Sequence, residues 1–323
     1  MGSYIHSIEY YLPENIVDNN KLSFEFPEWE AEKIEEKIGI RNRHIVSKNE
    51  TALDLAFNAA EKLLKSFDKE LVDFVILCTQ SPDYYLPTGA CILQDILNLR
   101  NDIGAFDFNL GCSGYIYGLA LAKSLINSKI ASNILLITAE TYSKHIHPSD
   151  KSNRSIFGDG AAASLVSSSS NDRIHEFVLG TDGSGKDNLI VKKGGMRQLG
   201  FENNDLIEDF LYMNGPEIFN FTLDIVPELV NNVLLKNRLS INEIDFCIFH
   251  QANKFILEYL RKKLKIDPVK FYINMIETGN TVSATIPIAL KDCIENKVVK
   301  AGDKILLVGF GVGYSWGATI ITL

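Results

Sequence analysis

"FDFNLGCSGYIYGLALA", residues 106–122, is the stretch that decides the fold, because it joins a strand to a helix through a tight turn. The apolar run before the turn is typical of a strand, and the apolar residues after Gly114 recur at helical spacing. Cys112 lies in the turn, between Gly111 and Gly114. Because a helix N-terminus favours an anion, this position predicts a thiol with a lowered pKa and hence a reactive nucleophile.

The same alternation of strand and helix extends along the chain. "VDFVILCTQ" from Val72 and "NILLITAETY" from Asn133 are short apolar runs typical of strands, and "GACILQDILNL" from Gly89 has the spacing of a helix. This βαβα order predicts an α/β fold with a mainly parallel sheet covered by helices on both faces.

Three segments of the first half recur in the second half in the same order, each about 170 residues later. "VDFVIL" returns as "IDFCIF", "GCSGYIYGLAL" returns as "GNTVSATIPIAL", and "NILLITAETYS" returns as "KILLVGFGVGYS". The repeat predicts an internal duplication, with residues 1–170 forming one half and residues 171–323 the other. The serine-rich "SLVSSSSNDRIHEF" where they meet predicts a turn between adjacent strands.

The repeat places three polar residues at related points. Cys112 and Asn280 each follow a glycine at the same turn of the two halves, and His250 ends the strand "DFCIFH". Ligands bind at the carboxyl ends of parallel strands, so we expect these three side chains to converge although they are far apart in sequence.

Composition excludes several other classes of protein. The 323 residues are 46% hydrophobic and 23% charged, with a net charge of −9 that argues against nucleic-acid binding. We see no secretory signal and no apolar run of roughly 18 residues, so we expect a cytoplasmic protein without a membrane span. The five cysteines form no CxxC pair, which indicates free thiols and predicts no zinc site.

Seven motifs together carry a resemblance that covers essentially the whole chain. They are "GIRNRHIV", "NETALDLA", "GCSGYIYGL", "IFGDGAAASLV", "HQAN", "GNTVSATIP" and "GFGVGYSWG". In this order they resemble the β-ketoacyl-acyl-carrier-protein synthase III family of the thiolase superfamily. The resemblance implies a thiolase-like, five-layered αβαβα fold with two pseudo-symmetric halves, as the internal repeat suggests.

The resemblance also implies an activity and a set of site residues. Cys112 matches the nucleophile that accepts an acyl group, and His250 and Asn280 match the pair that serves the condensation. Phe310 matches an aromatic gate, and Val312 stands where the family uses a glycine N–H in its oxyanion hole. The implied reaction is a decarboxylating Claisen condensation of the acyl thioester with malonyl-acyl carrier protein (malonyl-ACP), without a cofactor or metal.

The chain departs from relatives that start from acetyl-CoA. Counted from the nearby motifs, the tryptophan that stacks on the nucleotide is replaced by Lys33, and the arginine after "HQAN" by Phe255. A further arginine and an asparagine are replaced by Lys151 and Pro216. Because a stacking ring and a phosphate ligand are lost, we expect an acyl donor linked to a carrier protein instead of acetyl-CoA.

Two further features concern partners. The family docks its acidic carrier at a basic helix end, and the basic residues here are Arg261, Lys262, Lys263 and Lys265, although cations also favour a helix C-terminus for structural reasons. The family closes its acyl pocket with a bulky residue from the partner subunit of a homodimer. Leu86 stands at that place, which predicts room for an acyl group longer or more branched than acetyl, unless Tyr84 and Tyr85 fill the space.

Two alternatives to condensation stay open at this point. The chain could load Cys112 and pass the acyl group to an amine or alcohol, or it could be a non-catalytic partner that only binds an acyl carrier. The intact cysteine, histidine and asparagine rank both below condensation. The sequence does not determine the acyl donor, its chain length or the pathway.

Overall fold

A computed structural model describes residues 2–199 and 206–323. Within these residues the chain forms fourteen strands. The strands are β1 (Gly2–Tyr11), β2 (Ile16–Asp18), β3 (Asn42–His44), β4 (Phe74–Cys78), β5 (Gly104–Phe108), β6 (Asn133–Glu140), β7 (Gly160–Ser169), β8 (Val178–Thr181), β9 (Leu189–Ile190), β10 (Tyr212–Met213), β11 (Phe246–Phe249), β12 (Phe271–Tyr272), β13 (Lys304–Gly311) and β14 (Ser315–Thr322).

Nine α-helices and several short 3₁₀ turns connect the strands in the described ranges. The helices are α1 (Asn19–Glu25), α2 (Ala31–Ile38), α3 (Ala52–Leu64), α4 (Gly89–Ile96), α5 (Gly114–Asn127), α6 (Lys151–Ile156), α7 (Gly215–Lys236), α8 (Lys254–Lys263) and α9 (Thr285–Glu295). The 3₁₀ turns include Tyr142–His145 and Val282–Ala284.

Two five-stranded sheets have the same topology. The first has the order β5-β4-β6-β7-β1 and the second the order β12-β11-β13-β14-β8. In each sheet the first three strands are parallel, and the last two are antiparallel to their neighbours. The correspondence of β4 with β11 and of β6 with β13 is the one that the repeated segments predict, so the predicted duplication is confirmed.

The helices and sheets form five layers. α5 and α9 lie between the sheets, where Ile116 and Leu119 of one helix share a buried cluster with Ile286 and Leu290 of the other. Residues of α3 and α4 pack on the outer face of the first sheet, and residues of α7 and α8 pack on the outer face of the second. The αβαβα architecture expected from the resemblance is therefore present.

The serine-rich junction differs from its prediction. β7 runs to Ser169, so most of the serines belong to a strand. The chain then crosses from β7, next to the edge strand β1 of the first sheet, to β8 at the edge of the second, so the segment connects two sheets instead of adjacent strands. The apolar alternation that would mark a strand is hidden there because the small serines pair with β1.

α7 is the one helix in the described part of the chain with the length and hydropathy of a membrane span. Its buried residues, such as Val226, Val230 and Val233, contact the second sheet and α8. Asp224 and Glu228 lie on its exposed face. This alternation is the pattern of a helix that covers one face of a core.

Candidate active site

Cys112 lies in the turn between β5 and α5, as the opening stretch predicts. Ser113 caps α5, and the Gly114 N–H donates to the Gly111 carbonyl across the turn. A Cβ on Gly111 would lie 2.5 Å from the side chain of Val312. The turn therefore needs glycine because the β13–β14 hairpin approaches it closely.

The pKa of the Cys112 thiol is shifted in the direction opposite to the one expected. Burial, with a smaller contribution from the nearby Glu140, raises this pKa to about 12. The backbone N–H groups of Cys112 and Val312 oppose the rise by favouring the thiolate. The expectation from the helix dipole was wrong because Tyr142, Phe157 and other apolar groups remove the thiol from water.

His250 follows β11 and is almost fully buried. Its backbone N–H donates to the Val308 carbonyl at 2.8 Å. Its ring Nδ1 lies 2.8 Å from Thr285 Oγ1 at the start of α9. The Phe310 ring meets the imidazole edge-on, with the ring centres 5.7 Å apart. Burial lowers the pKa of His250 to about 3, so the ring is neutral at physiological pH.

Three hydrogen bonds hold Asn280 in place, through its backbone N–H, its backbone carbonyl and its side-chain oxygen. Its N–H donates to the Ile156 carbonyl at 2.9 Å, and its carbonyl accepts from the Gly158 N–H at 3.0 Å. Its side-chain oxygen accepts from the Val282 N–H at 2.9 Å. Among the described residues its amide nitrogen has no partner, so two N–H groups are free to donate into the site.

One cavity brings the three predicted residues together. It has a volume of about 150 Å³, and Cys112, His250, Asn280 and Phe310 all line it. The remaining lining is largely apolar and comes from α6, α7 and the start of α8. A thiol therefore shares a largely apolar cavity with an imidazole and an amide donor, an arrangement that suits acyl chemistry.

A larger cavity of about 1040 Å³ is lined in part by Val312 and Tyr142. Leu189 lines both cavities, so this space begins beside the nucleophile. Leu86 lines it too and is 82% exposed, together with Tyr84 and Tyr85 on the same loop. The side chain expected to close the acyl pocket is therefore available to a second subunit.

The replacements predicted for the nucleotide-binding residues are seen in part. Phe255 at the expected arginine position is 61% exposed and stacks on Phe219, with ring centres 5.5 Å apart. Lys33 pairs with Glu30 on the surface. Pro216 is exposed in the first turn of α7.

A tryptophan four residues before Lys33 lies beside one of the replaced positions in space. The Trp29 ring lies under the Lys151 ammonium at 5.3 Å, so a stacking ring does stand beside a cation. Counting back from "GIR" missed this pair because α2 fills the interval between Trp29 and Gly39. Lys151 also pairs with Glu28 at 2.6 Å, which partly neutralises it.

The basic residues at the end of α8 differ in whether they have partners within the chain. Arg261 binds Glu258 and the Ile266 carbonyl, so its charge is used within the chain. Lys263 donates to the Leu223 carbonyl on α7. Lys262 and Lys265 are exposed.

Glu140 is a buried carboxyl group that the sequence did not single out. It ends β6 and accepts hydrogen bonds from the Gln80 N–H and from the Ser81 and Ser283 hydroxyls. Burial raises its pKa to about 8, so it is largely protonated at neutral pH. The signal available in the sequence was an acidic residue at the end of an otherwise apolar strand.

Comparisons with known proteins agree on one family. Residues 106–183 match the family described as 3-oxoacyl-[acyl-carrier-protein (ACP)] synthase III, and residues 234–323 match its C-terminal domain. The β-ketoacyl-[acyl-carrier-protein] synthase III of Clostridium perfringens (strain ATCC 13124) is 40% identical over 97% of both chains. That of Fusobacterium nucleatum is 38% identical over 98% of this chain and 97% of its own.

Solved structures show the same likeness. A crystal structure of a 3-oxoacyl-(acyl-carrier-protein) synthase III is 45% identical over the whole of both chains, with a TM-score of 0.98. The enzyme of the same name from Pseudomonas aeruginosa PAO1 is 30% identical over 100% of this chain and 98% of its own, with a TM-score of 0.91. The chain therefore belongs to the 3-oxoacyl-acyl-carrier-protein synthase III family.

Proposed function

We propose that this protein catalyses a decarboxylating Claisen condensation between an acyl thioester and malonyl-ACP, giving 3-ketoacyl-ACP. The observation that carries the proposal is the cavity in which Cys112, His250 and Asn280 meet in a member of this family. The residues 1–170 supply the nucleophile, and the residues 171–323 supply the two polar partners.

The three side chains have different roles in the reaction. Cys112 attacks the acyl donor and holds the acyl group as a thioester, which stays electrophilic. Loss of CO₂ from the malonyl group then creates an enolate, whose oxygen needs hydrogen-bond donors. His250 and the free amide N–H groups of Asn280 provide them, and the N–H groups of Cys112 and Val312 serve the oxyanion of the thioester.

Asn280 also supports condensation over simple acyl transfer. An amide cannot act as a base, so it stabilises an enolate formed by loss of CO₂ without abstracting a proton. Its oxygen is already committed to the Val282 N–H, which turns its donor groups toward the substrate. A transferase that acylates an amine or alcohol has no need of this second donor.

The mouth of the site supports a carrier-linked donor. Phe255 presents an apolar surface where a phosphate ligand would be needed, and it stacks on Phe219. The lysines of α8 can attract an acidic carrier, with Lys262 and Lys265 exposed and Arg261 and Lys263 holding the helix end in place. The Trp29–Lys151 pair keeps a weaker nucleotide contact available.

The acyl pocket supports a donor longer than acetyl. The larger cavity, which Val312 and Leu189 line, exceeds the space that a two-carbon group fills, and Leu86 is a smaller closing residue than an aromatic. Because Leu86 is highly exposed here, we infer a homodimer in which it enters the pocket of the partner. Five free thiols support a cytoplasmic location.

The test separates the two half-reactions. Intact mass after exposure to a panel of acyl-ACP and acyl-CoA donors reads the adduct on Cys112, and CO₂ released from malonyl-ACP reads condensation. Asn280→Asp keeps the acceptor for Val282 but removes the donor, so we expect the adduct to form while CO₂ release falls roughly 10²–10³-fold.

Two other results would contradict the proposal. An adduct that persists with malonyl-ACP but leaves with an amine or alcohol would establish a transferase. Wild-type protein that forms no adduct with any donor would support a non-catalytic carrier-binding subunit.

A further inference from the structure

The Thr285 hydroxyl and the backbone of Val282 hold the ring of His250. Nδ1 lies 2.8 Å from Thr285 Oγ1, and both side chains are buried. Thr285 Oγ1 also donates to the Val282 carbonyl at 3.0 Å. His250 also lines the cavity that contains Cys112.

The single proton of the hydroxyl decides which ring nitrogen is protonated. The Val282 carbonyl can only accept, so this contact uses the Thr285 proton. Thr285 Oγ1 must then accept from His250, which requires a hydrogen on Nδ1. If the hydroxyl donated to Nδ1 instead, it would give up the Val282 carbonyl and make one hydrogen bond where the first arrangement makes two.

We propose that Thr285 is a positioning residue that keeps the proton of neutral His250 on Nδ1, so that Nε2 is the proton acceptor for Cys112. The inference rests on the proposed function, because it concerns the acylation of Cys112. A base is needed at this point because the buried thiol does not ionise unaided.

The acylation step balances without another reactant. The S–H bond of Cys112 breaks and its proton moves to Nε2, while the sulfur attacks the carbonyl carbon of the donor. The bond from that carbon to the carrier sulfur then breaks, and the carrier sulfur takes the proton from Nε2. Nδ1–H donates to Thr285 throughout, so the contact between His250 and Thr285 does not rearrange.

The condensation step uses the same arrangement. It consumes one proton in total, because loss of CO₂ and attack by the enolate release Cys112 as a thiolate. With the negative malonyl group in the cavity, Nε2 takes up this proton from water and donates a hydrogen bond to the enolate oxygen. The proton then passes to the Cys112 thiolate, while the Nδ1–Thr285 contact stays as it was.

The first measurement is the protonation of each His250 ring nitrogen by ¹⁵N NMR of histidine-labelled protein, with His250→Gln to assign the signal. We expect a protonated Nδ1 and a bare Nε2 in the wild type at neutral pH. A bare Nδ1 with a protonated Nε2 would overturn the proposal, whatever the enzyme's activity.

The second measurement uses variants that separate the hydroxyl from the shape of the side chain. Thr285→Val removes the acceptor for Nδ1–H, and we expect the single-turnover acylation of Cys112 to slow by roughly tenfold or more, with the proton moved to Nε2. Thr285→Ser should restore both. Thr319→Val removes a buried hydroxyl from β14, outside the cavity, and should leave the rate unchanged.

The outcomes also separate this inference from the proposed function. Wild-type acylation without product from malonyl-ACP would contradict the condensing activity and leave the role of Thr285 intact. Thr285→Val acylated at the wild-type rate would refute the role of Thr285 while the condensing activity stands.

Discussion

Gly311→Ala tests whether the position of the Cys112 sulfur limits the reaction. Gly311 ends β13 and lies against the nucleophile, so a Cβ there would be 2.8 Å from Cys112 Cβ and 2.9 Å from its Sγ. Non-bonded carbon atoms prefer separations of roughly 3.5–4.0 Å, so the thiol has to move by about 0.6–1 Å. The backbone of β13 and the turn that carries Cys112 are both packed, so the Cys112 side chain is the group that moves.

The displacement has separate consequences for rate and stability. A misplacement of about 1 Å can cost roughly 10²-fold in rate, so we expect Cys112 acylation to slow between about tenfold and a hundredfold. Overpacking a buried site costs about 1–3 kcal/mol of unfolding free energy. The folded protein should therefore persist with a modestly lower melting temperature.

The assay is the single-turnover rate of adduct formation by intact mass, beside a thermal melt. Gly183→Ala is the matched control, because a Cβ at Gly183 meets nothing within 4 Å and its backbone needs no positive φ. The control should acylate and melt like the wild type. If Gly311→Ala acylates at the wild-type rate, the sulfur position tolerates this shift and the argument from close packing is wrong.

Three further predictions concern charge. The pKa of His250 is about 3 in the folded state and 6.5 in the unfolded state, so between these pH values the unfolded state binds more protons. The free energy of unfolding should therefore decrease as the pH falls from 6.5 towards 3. Urea titrations should show a smaller decrease for His250→Gln. Glu140→Gln removes a charge that raises the pKa of Cys112, so alkylation of the thiol by iodoacetamide at pH 9 should become faster, and an unchanged rate would contradict the coupling. Phe255→Arg should raise acylation by acyl-CoA relative to acyl-ACP by about tenfold, and an unchanged ratio would remove this residue from donor selection.

The sequence was sufficient for the parts of the site that depend on the chain's own repeat. Cys112 and Asn280 occupy equivalent turns, and His250 ends a strand, so local patterns and the duplication together predicted their convergence. The five layers followed from the same alternation of strands and helices.

The electrostatics depend on contacts that local sequence cannot specify. The helix end beside Cys112 suggested a low thiol pKa, but Tyr142 and Phe157, which come from another part of the chain, bury the sulfur and reverse the direction. Likewise, Arg261 appeared in a basic run, and its ion pair with Glu258 emerges only in the folded helix. Sequence patterns identify the titratable residues of the site, whereas burial in the folded chain determines their pKa values and hence their charge.

The duplication explains why this chemistry needs the whole chain. The two sheets share the buried layer of α5 and α9, in which side chains of both halves form one apolar cluster. α5 starts beside the nucleophile Cys112, and α9 starts with Thr285, which contacts His250. The central helices therefore fix Cys112 and His250, the proposed nucleophile and proton acceptor, against each other. A change in the packing between the helices should alter the reaction before it alters either sheet.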